Sequence, residues 1–101
     1  MTPEDKQTYI EYRIERAYET LKEASMLLHE DHLHGAVNRI YYSMFYAVSA
    51  LALQHDFSTS SHSQLRGYFN REFVKTGKVP VSMGRAFGFA YDNRTKVIIR
   101  T

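Results

Sequence analysis

The sequence predicts an all-α protein, an antiparallel up-and-down bundle of four helices. Three observations predict it. The stretch Gly35–Leu53 is a long apolar run carrying two adjacent helical stripes. Residues 4–29 carry a one-sided apolar stripe behind a capping sequence. Two further helical patterns follow, at 62–75 and 81–94, separated by polar, glycine and proline residues.

Thr2-Pro3-Glu4-Asp5 opens the first helix. Thr2 can cap, Pro3 suits the first helical position, and the acids favour the positive end of the helix dipole. Ile10, Ile14, Ala17, Leu21, Ala24 and Leu28 then recur at steps of three and four, the spacing of one helical face. That stripe needs a partner helix. The break, HEDHLHG at 29–35, sets His29, His32 and His34 beside Glu30 and Asp31. These residue types suit zinc or nickel. Their spacing matches no i, i+4 pair, so surface histidines at a turn are the simpler reading and no metal is expected. The shortness of the connection makes the first two helices antiparallel neighbours.

The second helix runs from about Leu33 to His55. Val37, Tyr41, Met44, Val48 and Leu51 form one stripe, and Ala36, Ile40, Ser43, Ala47 and Ala50 a second. A helix apolar around most of its girth belongs in the middle of a bundle. The run approaches transmembrane length, but Asn38, Arg39 and the hydroxyls of Tyr41, Tyr42, Ser43 and Tyr46 favour a buried bundle helix. Ser58–Ser61 is a polar loop with several possible caps. The third helix spans about His62 to Lys75, with Leu65, Phe69 and Phe73 on one side and Arg66, Asn70, Arg71 and Lys75 outward. Gly77 can take a positive φ at its end. The fourth spans Val81 to Arg94, with Met83, Phe87, Ala90 and Arg94 on one face. Gly84 and Gly88 would let another helix come close. The last five residues are apolar and β-branched, and they break the pattern. The organisation is thus one helical domain over 1–96 and an atypical tail over 97–101.

At 101 residues the chain suits a single domain with a real core. It has no cysteine, which excludes disulfides, thiolate metal sites and cysteine nucleophiles and is compatible with a reducing cytoplasm. The polar, acidic N-terminus shows no basic region followed by an apolar one, so no secretory signal is expected. Eight of the 11 acids precede residue 35, while nine Lys and Arg against three acids follow it. The later part is therefore basic. A solvated helix surface explains this most simply, and a phosphate-bearing partner is the sharper reading.

Residues Ala36–Leu51, AVNRIYYSMFYAVSAL, resemble the signature helix of HEPN domains: a small residue, a polar pair, Tyr-Tyr, a small residue, Met-Phe, then an alanine-rich end. A second block is similar as well: His62-Ser63, Tyr68-Phe69 and Glu72–Lys78. The resemblance implies a helical bundle, dimeric through its long helices and often paired with a minimal nucleotidyltransferase. Some members are toxins that cut RNA with an Arg-x4–6-His motif. Histidine would there move protons, and arginine would hold the phosphate. Arg94 best matches the motif arginine, but positions 99, 100 and 101 are Ile, Arg and Thr. The motif is absent as written. Small members continue beyond this point with an acidic-aromatic element and a further, fifth helix. A truncation or shifted reading frame near codon 97 is the expectation that accounts for this departure.

Asn38 and Arg39 stand out on the apolar second helix. Arg39 can reach solvent along its stem while Asn38 satisfies a loop backbone group. Alternatively they line a polar groove with Tyr42, Arg94 and His62. Tyr41, Tyr42 and Tyr46 read as core residues whose hydroxyls seek partners. The ligand-binding candidates are therefore Asn38, Arg39, Tyr42 and Arg94, and a ribonuclease would use Arg94 and His62. The expected function is a non-catalytic, cytoplasmic, homodimeric module that binds a nucleotide or serves a nucleotidyltransferase in a toxin–antitoxin-like pair. It needs no cofactor. The alternatives are a metal-independent endoribonuclease acting on RNA, and a purely structural dimer.

Overall fold

A computed structural model describes residues 1–96. The readings made for the tail, residues 97–101, and for the end of the chain lie outside the described residues. Four helices succeed one another: α1 (Pro3–His29), α2 (Leu33–Gln54), α3 (His62–Phe69) and α4 (Val81–Asn93). Among the described residues there is no strand. α2 sits in the middle. α1 packs along one side of it, and α3 and α4 pack along the other.

α1 begins in a capping box. The Asp5 amide donates to Thr2 Oγ1 at 3.1 Å, and the Thr2 amide donates to Asp5 Oδ2 at 3.3 Å. Two first-turn amides are thereby satisfied, as the sequence suggests. Asp31 turns the chain with a left-handed φ of 65°, and α2 returns antiparallel to α1. Arg13 donates to the Ser49 carbonyl at 3.2 Å, and Arg16 lies 5.3 Å from the Tyr46 ring centre. These arginines bridge α1 to α2, and further along α1 Thr20 and Ala24 are buried.

The apolar stripe of α1 is only partly used by this seam. Ile14 is 44% exposed, Leu21 51% and Leu28 56%. The reason is geometric: among the described helices α1 touches α2 alone, and the less exposed line of α1 runs along Arg13, Ala17, Thr20, Ala24 and Leu27. The apolar residues beside that line stay outside.

The core lies on the other side of α2. Tyr41, Ala52, Leu65, Tyr68, Phe69, Phe73, Phe87 and Ala90 form it. Phe57, in the loop before α3, stacks on Tyr68 at 4.0 Å. Ser61 caps α3 by accepting from the Gln64 amide at 3.3 Å. The helix expected over 62–75 changes character after Phe69 and continues as a π-helical turn over Asn70–Val74. The Lys75 amide reaches back five residues to the Asn70 carbonyl, at 2.9 Å. No proline or glycine announces this widened turn; it sets Val74 against Gly84 of α4. Gly77 then ends the segment at a φ of 78°, a conformation that glycine adopts without strain.

Candidate functional site

The candidate residues converge where α2, the start of α3 and the end of α4 meet. Tyr41, on α2, is the centre. Its side chain is fully buried, because the α2 stripe aims it between α3 and α4. Its ring stacks on Phe87 of α4 at 5.9 Å and 8°. Its hydroxyl meets Nδ1 of His62, the first residue of α3, at 2.5 Å. The His62 ring also stacks on Phe45 at 4.3 Å and meets Tyr42 edge-on at 5.8 Å. His62 is half-buried, and its Nε2 makes no hydrogen bond within the described residues.

Arg94 reaches the same place from the end of α4. Its guanidinium carbon lies 4.1 Å from the Tyr91 ring centre and 5.4 Å from that of Tyr41. Its Nη1 donates to the Tyr91 carbonyl. Arg66, one turn after His62 on α3, lies 5.0 Å from the Tyr91 ring and pairs with Asp92 at 3.2 Å. Among the described residues Arg94 pairs with no carboxylate. Burial first, and the Arg94 charge second, hold His62 below its ordinary value of 6.5. It is therefore neutral at physiological pH. Burial pushes the Tyr41 phenol up to about 12.

Asn38 and Arg39 reach this cluster by different routes. The Asn38 amide donates to the Arg94 carbonyl at 3.0 Å, and Asn38 Oδ1 accepts from Arg39 Nη2 at 2.7 Å. Arg39 lies over Tyr42 at 5.0 Å and extends to Glu23 of α1 at 3.8 Å. Asn38 thus satisfies a backbone group, and that group belongs to Arg94. Arg39 joins the cluster through Asn38 and through the Tyr42 ring, and its guanidinium also reaches Glu23 of α1. Tyr42 stands between Arg39 and His62.

Sequence reasoning set Arg66 on an outer face and passed over Tyr91. Both carried a signal. Arg66 is four residues after His62, and Tyr91 is four after Phe87 and three before Arg94, so each shares a helical face with a recognised residue. The histidine turn forms no comparable cluster. His34 Nδ1 donates to the Lys96 carbonyl at 2.5 Å. No group of three or more His, Asp or Glu among the described residues is placed to hold a metal. No described helix is long and apolar enough to cross a membrane.

A helical bundle with a Tyr-Tyr helix in its middle is the architecture that the HEPN resemblance implies. The sequence profile of the HEPN domain matches residues 10–97, and the chain belongs to that family. It is 49% identical over 90 residues to a UPF0332 protein of Thermotoga maritima, covering 89% of this chain and 68% of that protein. It is 36% identical over 85 residues to a Methanocaldococcus jannaschii protein named as a candidate toxin, covering 84% of this chain and 58% of that one. A UPF0332 protein of Gloeobacter violaceus is 32% identical over 85 residues, with 84% and 64% covered. The chain thus spans between about half and about two thirds of the length of these curated relatives. No solved structure matches it.

Proposed function

We propose that this chain is a non-catalytic HEPN module that binds a nucleotide through its phosphate at the Arg94–His62 edge. It would work as a homodimer beside a minimal nucleotidyltransferase, in a toxin–antitoxin-like pair. The observation that carries the ligand reading is the state of Arg94. Arg16, Arg39, Arg66 and Arg71 each pair with a carboxylate. Arg94 is half-buried, held on two aromatic rings and without such a partner among the described residues. A guanidinium so placed keeps donors for a phosphate, which it matches in geometry and charge. The ring of Tyr91 beside it, and that of Tyr42 beside His62, are surfaces on which a base could stack.

Titration of the native chain with AMP and ATP by calorimetry tests this. Binding is expected, with an at least tenfold loss in Arg94→Ala and little change in Arg71→Ala, whose side chain pairs with Glu72 at the surface. No heat with either nucleotide would sink the ligand reading. The nucleotidyltransferase reading predicts that such a protein, where its gene adjoins this one, co-elutes with the chain on co-expression.

One observation favours a second reading, the endoribonuclease. His62 and Arg94 both lie against Tyr41, so a histidine does stand near the motif arginine, although it comes from α3. The candidate-toxin name of the M. jannaschii relative points the same way. Labelled RNA cleaved by the native chain, but not by His62→Ala or Arg94→Ala, would replace the binding module by the nuclease.

A further inference from the structure

The contact between Tyr41 and His62 can be made in two ways, and the choice decides what His62 can do. Either the phenol donates to Nδ1, or Nδ1–H donates to the phenol. Tyr41 is 0% exposed, so its hydroxyl has no solvent to turn to. Within the described residues that hydroxyl has no hydrogen-bond partner besides His62. A phenol that accepted from Nδ1–H would have to leave its own hydrogen unsatisfied in the core. Donation to Nδ1 satisfies both atoms with one bond. Stacking on Phe45 holds the imidazole plane, and a ring flip would take Nδ1 away from the phenol.

We infer that Tyr41 is a positioning residue that fixes His62 as its Nε2–H tautomer, so that His62 offers a hydrogen-bond donor, and not a base, beside Arg94. The ligand class follows, and this step rests on the proposed phosphate reading. Arg94 has donors only. With Nδ1 occupied and Nε2 protonated, His62 adds one more donor and no acceptor. A donor-only pair recognises an acceptor-rich anion such as a phosphate monoester. It does not remove a proton from a 2′-hydroxyl. Raised phenol pKa and lowered imidazole pKa agree with this, because both keep Tyr41 protonated and His62 neutral.

Long-range proton–nitrogen correlation spectra of the native chain near pH 8 test the inference directly. His62 is assigned by the signals lost in His62→Asn. The expected result is a protonated Nε2 and an unprotonated Nδ1. A protonated Nδ1, or an average of the two tautomers, overturns the inference. The native spectrum decides alone, whether or not Tyr41→Phe folds. If that variant folds, it is expected to release His62 into a tautomer mixture, and an unchanged Nε2–H signature would deny Tyr41 its role. Inorganic phosphate added to the same sample separates the two claims. An Nε2–H tautomer that ignores phosphate upholds the role of Tyr41 and removes the phosphate reading. An Nδ1–H tautomer that responds to phosphate does the reverse.

Discussion

The side chain of Asn38 donates to the main-chain carbonyl of Arg94 at 3.0 Å, joining two residues 56 positions apart. The amide orientation is fixed by its other partner. Arg39 donates to Oδ1 and has no acceptor, so the amide nitrogen must face the carbonyl. Asn38 therefore anchors the end of α4 to α2 and holds the backbone from which Arg94 projects.

Asn38→Ala is expected to destabilise the chain by about 1–3 kcal/mol, since it removes a bond to a half-buried carbonyl and a charge-assisted bond from Arg39. Urea unfolding measures this. Phosphate affinity is expected to fall too, because Arg94 loses its fixed base. A variant as stable as the native chain would show that the end of α4 is held by other contacts.

How much of this could be read from the sequence depends on how far apart the partners are. Stripes at three and four residues gave α2 its central place, and Thr2-Pro3-Glu4-Asp5 gave the start of α1. Local chemistry was enough for both. The candidate cluster was half legible. Asn38 stands out as a polar exception on α2 and Arg94 as the match to the motif arginine, but their bond depends on packing that no local pattern carries. The π turn at Asn70–Val74 had no signal, because its residues are equally compatible with an α-helix. The exposed half of the α1 stripe carried no signal for a related reason. Periodicity shows that a face is apolar, and it does not show whether the same chain covers it.

Gly84 and Gly88 are four residues apart and answer differently to alanine. A methyl at Gly84 would stand 2.9 Å from Val74 Cγ2 and 3.2 Å from Asn70 Oδ1. Val74 is β-branched and held by the π turn, so it yields poorly. Gly84→Ala is expected to destabilise by about 1–3 kcal/mol, less the gain of about 1 kcal/mol in helix propensity. At Gly88 the methyl would meet the Arg66 guanidinium, 2.7 Å away. That is the mobile end of a long side chain. Gly88→Ala should leave stability within about 1 kcal/mol of native while displacing Arg66 from Tyr91. Thermal melts of the two variants check the contrast, and equal losses would refute it.

Stability should depend on pH through His62. Its folded value lies below 6.5, so the unfolded chain takes up the proton first as pH falls. The contribution is complete above the unfolded value. It declines as pH drops below 6.5 and is gone once pH passes the lowered folded value. Arg94→Met removes one of the two causes and should flatten this slope, with burial still acting. Melting temperatures between pH 5 and 8 for the native chain, Arg94→Met and His62→Asn measure it. A His62→Asn slope equal to the native one would assign the pH dependence to other groups.

The face of α1–α2 away from the core presents the last prediction. Ile14, Leu21 and the 70%-exposed Tyr18 line, with Ile40, Met44 and Leu51 of α2, a groove of about 570 Å³. Exposed apolar surfaces of this kind serve as docking sites, and we propose that the occupant is the same face of a second copy. A symmetric pair would bury each of these side chains twice, at about 1.5–3 kcal/mol for each one fully buried. Leu21→Asp sets an unpaired carboxylate into that contact. It should convert a sedimenting dimer into a monomer and leave helix content unchanged, because Leu21 lies outside the protomer core. Phe89, 71% exposed on α4, is the control, and Phe89→Asp should leave the dimer intact. A native chain that sediments as a monomer would refute the pairing. Dissociation by Phe89→Asp alone would move the interface to α4.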